Sequence, residues 1–318
     1  MRIKEIKELS QLETERFRHS DLYLKVLNNY ALCDIHIAYY DEYFGNTWDD
    51  ISIVAFDDSD FYLCMYMFSN GNELSFRGVP ICIYYQQVNS KVLIRVYQEL
   101  FAKLEIYKQK YGISRLKIYD NHYFVFKYFD SIYETKIEHY SYIDLSQSED
   151  EIRMNIRKSY KSLVNWGYKN LDIKIYDSNN IEENVIYQFE NFHIQVSQRR
   201  TRTHESWLLQ YKAVKQGMAY IVFGFFENKL AAAVLVLNSK TEAYYGVAVN
   251  DRELMTRNLP VGHAVLLEAI FIAKRFGIKK FNLGNVANSN DDKLNKIAKY
   301  KRGFSSVIET KLVYTFEL

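Results

Sequence analysis

The stretch Arg257–Phe304, RNLPVGHAVLLEAIFIAKRFGIKKFNLGNVANSNDDKLNKIAKYKRGF, reads as helix, buried strand, loop, second helix and a basic-aromatic knot. Pro260 suits a first helical turn, where its missing N–H would be unpaired anyway. Val261, Val265, Ala269, Ile272 and Phe276 recur at helical spacing, which predicts one apolar face. Lys274 and Arg275 fall where cations complement the helix dipole, and Gly277 fits the left-handed stop. Ile278–Leu283 is a short strand ending at Gly284. Asn290 or Asp291 caps the next helix, which carries Leu294 and Ile297 on the side that reaches Lys301.

Working outward, the 318 residues are long enough for two compact units or one large one. Apolar residues make up 48% and charged residues 25%, as in ordinary globular proteins, so collagen-like and disordered classes are excluded. A net charge of +2 makes no case for a nucleic-acid-coating protein, although a local basic patch can still act. Cys33, Cys64 and Cys82 have no CxxC spacing, so neither a disulfide framework nor a metal site is expected. The polar N-terminus and the lack of a transmembrane stretch of about 20 apolar residues point to a cytoplasmic protein.

The first half runs strands, helix, strand. Ile51–Phe56 and Phe61–Phe68 form a hairpin across Asp57–Asp60; Val88–Tyr111 is a long helix with Val92, Val96, Leu100, Leu104 and Tyr107 inward; Leu116–Tyr119 is a strand. The second half repeats that rhythm. A capping box at Ser146 and Glu149 opens one helix, Asp150–Trp166, whose apolar stripe is Ile152, Ile156, Tyr160 and Leu163. Arg153, Arg157 and Lys161 then line up as a basic stripe. After a helix near Asn179–Val196, the turn Ser197–His204 carries Arg199, Arg200 and Arg202. A strand meander from Met218 to Val249 leads back to the opening stretch.

The segments Pro260–Gly277, Phe281-Asn282-Leu283-Gly284 and Tyr300-Lys301-Arg302-Gly303-Phe304 resemble the C-terminal end of the FemABX peptidyltransferases and their relatives in the GNAT acyltransferase superfamily. The resemblance covers about the last half of the chain. It departs where the family strand often carries an acidic residue and a second glycine, since Asn282 and Asn285 stand here. It implies an α/β (α+β) fold of tandem GNAT-like units, each a mixed β-sheet with flanking helices, divided here as 1–145 and 146–318. It also implies N-acyl transfer from an activated donor to an amine of a cell-envelope precursor or amino sugar. Acyl-CoA or aminoacyl-tRNA (charged tRNA) would be the co-substrate, with no permanently bound cofactor. The alternative is a non-catalytic binding module that retains the fold.

By that resemblance Lys301 would hold the oxyanion of the tetrahedral intermediate, and Tyr300 would line the channel. Gly262-x-Ala264 has the spacing of a phosphate loop opening a helix, so Gly262 and His263 are the candidate cofactor contacts, although Arg257 lies too far upstream for the full motif. Arg153, Arg157, Lys161, Arg199, Arg200 and Arg202 are candidate phosphate ligands, with Trp207 as a stacking surface. Against this stands the reading of a solvated basic face over a core tryptophan. Glu268 and His193 are candidate bases for the attacking amine, Glu268 because burial on the helix would raise its pKa. The competing reading pairs Glu268 with Arg275.

Overall fold

A computed structural model describes residues 1–45, 47–119, 132–286 and 289–318. Asn46, read as part of a chain break, and Ala287-Asn288 of the opening stretch lie outside them. The chain packs as two compact units. One comprises Met1–Leu27, Phe44–Glu138 and Thr310–Leu318; the other comprises Asn28–Tyr43 and His139–Glu309. The division expected at residue 145 falls close to the 138/139 crossing, but two short segments are exchanged. Sequence order cannot show this, because long-range strand pairing decides it: Val313–Glu317 pairs antiparallel with Arg115–Tyr119.

In the first unit, Arg2–Glu5, Ile53–Phe56, Phe61–Met65 and Ile83–Tyr85 form an antiparallel sheet in that order. The hairpin at 57–60 is closed by Asp57, whose Oδ1 accepts from the Ser59 and Asp60 N–H groups at 2.9 and 3.2 Å. The long helix runs Ser90–Tyr111, capped by Asn89 and stopped by Gly112. Val96, Leu100, Leu104 and Tyr107 are buried as the spacing predicts.

The second unit is built on a mixed sheet in the order Asp172–Tyr176, Ala219–Phe226, Lys229–Asn238, Glu242–Asn250, Lys280–Asn285 and the Tyr140–Asp144 end of Ile132–Asp144. The meander shows period-two sorting. Tyr220, Val222, Val234 and Val236 enter one core with the Lys158–Asn170 and Val261–Arg275 helices. Ile221, Phe223, Leu235 and Leu237 enter another with the Glu183–Ser197 and His204–Lys215 helices. Covered by the sheet on one side and by Lys158–Asn170 on the other, Val261–Arg275 also buries Leu266, Leu267, Ile270 and Phe271. It is therefore apolar nearly all round rather than on one face. No helix among the described residues is long and apolar enough to cross a membrane.

The segment expected as one helix, Asp150–Trp166, is two: Glu149–Asn155 and Lys158–Asn170. The first is capped by Ser148 with Glu151, not by Ser146 with Glu149. Ser146 instead donates its N–H to Asp144. At the break, the Arg157 N–H leaves the helical ladder and donates to the Gly303 carbonyl at 2.8 Å. That long-range bond interrupts an apolar stripe that would otherwise have run on.

Candidate active site

Within the second unit, Glu242–Asn250 and Lys280–Asn285 run parallel, and they pair only from Glu242↔Lys280 to Tyr244↔Asn282. Beyond that point both strands continue without each other. Gly284 lies just past the divergence with φ +82°, a conformation natural to glycine. A Cβ there would stand 3.2 Å from Lys301 Nζ and 3.6 Å from the Tyr244 hydroxyl. Lys301 and Tyr244 therefore converge over a bare backbone, at the point where the strands part.

The Asp292–Arg302 helix delivers Lys301, and Asp291 caps it through the N–H groups of Lys293 and Leu294. Its last turn is anchored by Tyr300, whose hydroxyl donates to the Gly262 carbonyl at 3.0 Å. The rings of Tyr160, His263 and Phe304 pack around Tyr300. Tyr300 is thus an anchor of the helix that carries Lys301. Partly buried, the Lys301 ammonium makes no hydrogen bond or ion pair with any described residue. Desolvation of its ammonium lowers its pKa to about 8.

Around it, Tyr30 stacks on Tyr244 with ring centroids 4.3 Å apart, and burial raises the pKa of both phenols, so both are neutral donors. Asn282, 5% exposed, donates to Glu242 Oε1 at 2.6 Å and accepts the Gly284 N–H at 2.7 Å. The departure at Asn282 is thus accompanied by a carboxylate, Glu242, on the neighbouring strand. Tyr244, Tyr30 and Glu242 had no signal in the sequence beyond the abundance of tyrosine; Gly284 at the strand end was visible.

The other expected site residues fall in several places. Glu268 accepts from the Tyr168 hydroxyl and from Arg275, both at 3.0 Å, so both carboxylate oxygens are engaged as in the competing reading. His193 accepts from Arg202 through Nε2 at 3.1 Å. Burial, reinforced by that guanidinium, lowers its pKa to about 4, and its basic nitrogen is occupied. Neither residue is placed as a base.

Arg153, Arg157 and Lys161 do not form a stripe. Arg153 donates to Asn165 and lies over Tyr168. Arg157 sits at the helix break and donates to Tyr160 and the Lys299 carbonyl. Lys161 is exposed. Arg200 and His204 share buried Glu190. Arg202 is held by Tyr39, His193 and Thr201 and lies over Trp207. Trp207 is 1% exposed and packs on Phe189, so it is core and offers no stacking face.

The helix start read as a phosphate loop is closed. Val261, Gly262 and Ala264 are buried, and the Asn250 side chain lies so near Gly262 that a Cβ there would meet it at 2.5 Å. Burial lowers the His263 pKa to about 4, keeping it neutral among aromatic rings. Of the three arginines in the 197–204 turn, Arg199 opens onto a cavity. That cavity, of about 550 Å³, is lined also by Arg252 and Lys293.

No protein-family model matches the sequence, and no curated protein matches it. Solved structures match its fold. FemX aligns with a TM-score of 0.65 at 10% identity, covering 100% of this chain and 98% of that one. A tandem GNAT protein from the clavulanic acid biosynthesis pathway gives 0.56 at 10% identity, covering 99% and 98%. An acetyltransferase of the GNAT family from Colwellia psychrerythraea gives 0.53 at 13% identity, covering 100% of both. The fold of this chain is therefore the mixed α/β, tandem GNAT-like fold that FemX also has.

Proposed function

We propose that the chain is an N-acyltransferase, moving an acyl or aminoacyl group from an activated donor to the amine of a cell-envelope precursor or amino sugar. The observation that carries this reading is Lys301: a desolvated ammonium with no counter-ion among the described residues, beside Gly284 and Tyr244 where two parallel strands part. An unpaired cation in a low-dielectric cleft is poised for charge that develops there.

In the proposed reaction the amine nitrogen attacks the carbonyl carbon of a thioester or ester. The carbonyl oxygen becomes an oxyanion, which Lys301 holds. On collapse the C–N bond remains and the C–S or C–O bond breaks. The leaving thiol or hydroxyl takes up one proton while the amine gives one up. Lys301 with a pKa near 8 is chiefly ammonium at neutral pH and remains the charge-stabilising group throughout. With no side chain at Gly284, the place a Cβ would take beside Lys301 Nζ and Tyr244 stays open; the proposed reaction puts the carbonyl oxygen there.

Thermal unfolding with acetyl-CoA, longer acyl-CoAs and charged tRNA tests the donor, since a ligand binding only the native state raises its stability. A shift with CoA esters assigns acyl-CoA; a shift with charged tRNA alone assigns an aminoacyl donor. Turnover that survives Lys301→Ala overturns the role given to Lys301. Donor binding without any transfer in the wild type favours a binding module on the same fold.

A further inference from the structure

The Lys280–Asn285 strand is irregular just where it reaches Lys301. Lys280, Phe281 and Asn282 pair with Asp144, Ile143 and Tyr142, whereas Gly284 and Asn285 pair with Ser141 and Tyr140. Leu283 is the extra residue of a β-bulge, opposed by no partner on the Ile132–Asp144 strand. Its side chain is fully buried in the same core as Phe281, which holds the bulge in place. On the other flank, the parallel pairing with Glu242–Asn250 has already ended at Tyr244↔Asn282. The backbone at Gly284 is therefore turned by a bulge at the point where one neighbouring strand stops supporting it.

Side chains supply the support. The buried Gly284 N–H donates to Asn282 Oδ1 at 2.7 Å, the two-residue side-chain-to-backbone step that asparagine makes readily. Asn282 Nδ2 in turn donates to Glu242 Oε1 at 2.6 Å. An ionised carboxylate only accepts, so the Asn282 amide has one orientation that satisfies both ends. Lys280, opposite Glu242 on the strand, does not take the carboxylate away: its Nζ bonds Glu309 at 2.9 Å and lies over the Tyr142 ring. The phenols close enough to feel the Glu242 charge, Tyr30 and Tyr244, are kept neutral by burial.

We infer that Asn282 and Glu242 are positioning residues: through two hydrogen bonds in series they set the Gly284 peptide on its bulge, and with it the open place beside Lys301 Nζ and the Tyr244 hydroxyl. The inference deepens the acyltransferase reading and rests on it for what reacts at that place. It also accounts for an asparagine at a position where the resembling family often carries an acid. An aspartate at 282 could accept the Gly284 N–H but could not donate to Glu242. Two carboxylates would meet on one hydrogen bond, and one of them would have to take up a proton. The acid on the neighbouring strand thus calls for an amide at 282.

The test uses the full chain and two readouts, with thermal unfolding of every variant to establish that it is folded. One readout is turnover. The other needs no substrate: acetylation of Lys301 by acetic anhydride as a function of pH, followed by mass spectrometry of its peptide, with a midpoint of about 8 in the wild type. Glu242→Ala and Asn282→Ala are expected to lower kcat on the order of 10²-fold, as for a misplacement of about 1 Å, with KM changing less. Their Lys301 midpoints should move toward 10.5, the value of a solvated lysine. Glu242→Gln removes the same charge but keeps an acceptor for Asn282 Nδ2, so it should recover most of what Glu242→Ala loses. Asn282→Asp should be as poor as Asn282→Ala, and adding Glu242→Gln should rescue it, because the glutamine amide donates to the aspartate. Should an alanine variant fail to fold, this last pair decides. The inference is wrong if folded Glu242→Gln and Glu242→Ala behave alike, if the double variant is no better than Asn282→Asp, or if no variant moves the Lys301 midpoint. Absence of transfer in the wild type defeats the acyltransferase reading instead, and the Lys301 midpoints still decide the positioning.

Discussion

Lys301→Met should make the protein more stable and useless as a transferase. The ammonium pKa falls from 10.5 in the open chain to about 8 in the fold, because burial disfavours its charge. At about 1.4 kcal/mol per pKa unit, holding the charged form costs at most about 3 kcal/mol at neutral pH. The unfolded chain binds the extra proton between pH 8 and 10.5, so wild-type stability rises with pH across that window. Below pH 8 the cost is fully present. Buried tyrosines act oppositely: Tyr30 and Tyr300 have raised pKa values, so they draw stability down once the unfolded phenols ionise near pH 10. Comparing variant with wild type cancels that contribution. Urea unfolding at pH 7 should therefore show Lys301→Met more stable than wild type, by up to about 3 kcal/mol, with the gap closing steadily by pH 9 and beyond. Turnover should drop on the order of 10²–10³-fold, as for loss of one oxyanion donor. Equal stabilities at pH 7 with parallel pH profiles would show that the ammonium is well solvated or paired, and the reasoning for its role would fail.

Three further perturbations follow from the same geometry. Gly284→Ala puts a side chain into a left-handed backbone and 3.2 Å from Lys301 Nζ; denaturation should show a loss of about 1–3 kcal/mol, together with reduced transfer. His36 and His263 are held neutral by burial, with pKa values near 4 against 6.5 unfolded; the unfolded state takes up their protons first, so stability should fall as pH drops from 6.5 to 4, and a His36→Phe/His263→Phe variant should show a shallower slope in urea midpoints. Glu268→Gln loosens the links to Arg275 and Tyr168; we expect steady-state turnover to be retained and stability to fall by about 0.5–1 kcal/mol, whereas a large fall in turnover with an altered acid limb of the pH–rate profile would restore Glu268 as a base.

Much of the second unit was legible because its elements obey local rules. The meander alternates with period two, and Glu227-Asn228 turns it with positive φ at both residues. The Val261–Arg275 and Asp292–Arg302 helices begin and end near their sequence signals. Errors arose where long-range bonds outvoted local pattern. Two S-x-x-E boxes overlap between Ser146 and Glu151, and spacing alone cannot rank them; only Ser148 and Glu151 are satisfied. The break at Arg157 depends on a carbonyl at Gly303, far along the chain. No propensity at Ile156 or Arg157 announces it.

The site was legible in proportion to how little it depended on partners. Lys301 could be singled out because it sits in a patterned stretch, but its importance lies in what does not surround it, and a sequence does not show absence. The arginines make the converse case. Arg199, Arg200 and Arg202 are nearly adjacent and look equivalent, yet Glu190 takes Arg200, and His193 with Tyr39 takes Arg202. Arg199 has no ion-pair partner among the described residues and lines a cavity with Arg252 and Lys293, which nothing in the sequence linked to it. Surface ion pairs contribute little to stability, so pairing here matters less for holding the fold than for subtracting charge from places where it would attract anions. Two places in the second unit keep such charge: the Lys301 ammonium where the strands part, and Arg199, Arg252 and Lys293 around a cavity at the far end of the same strand and helix.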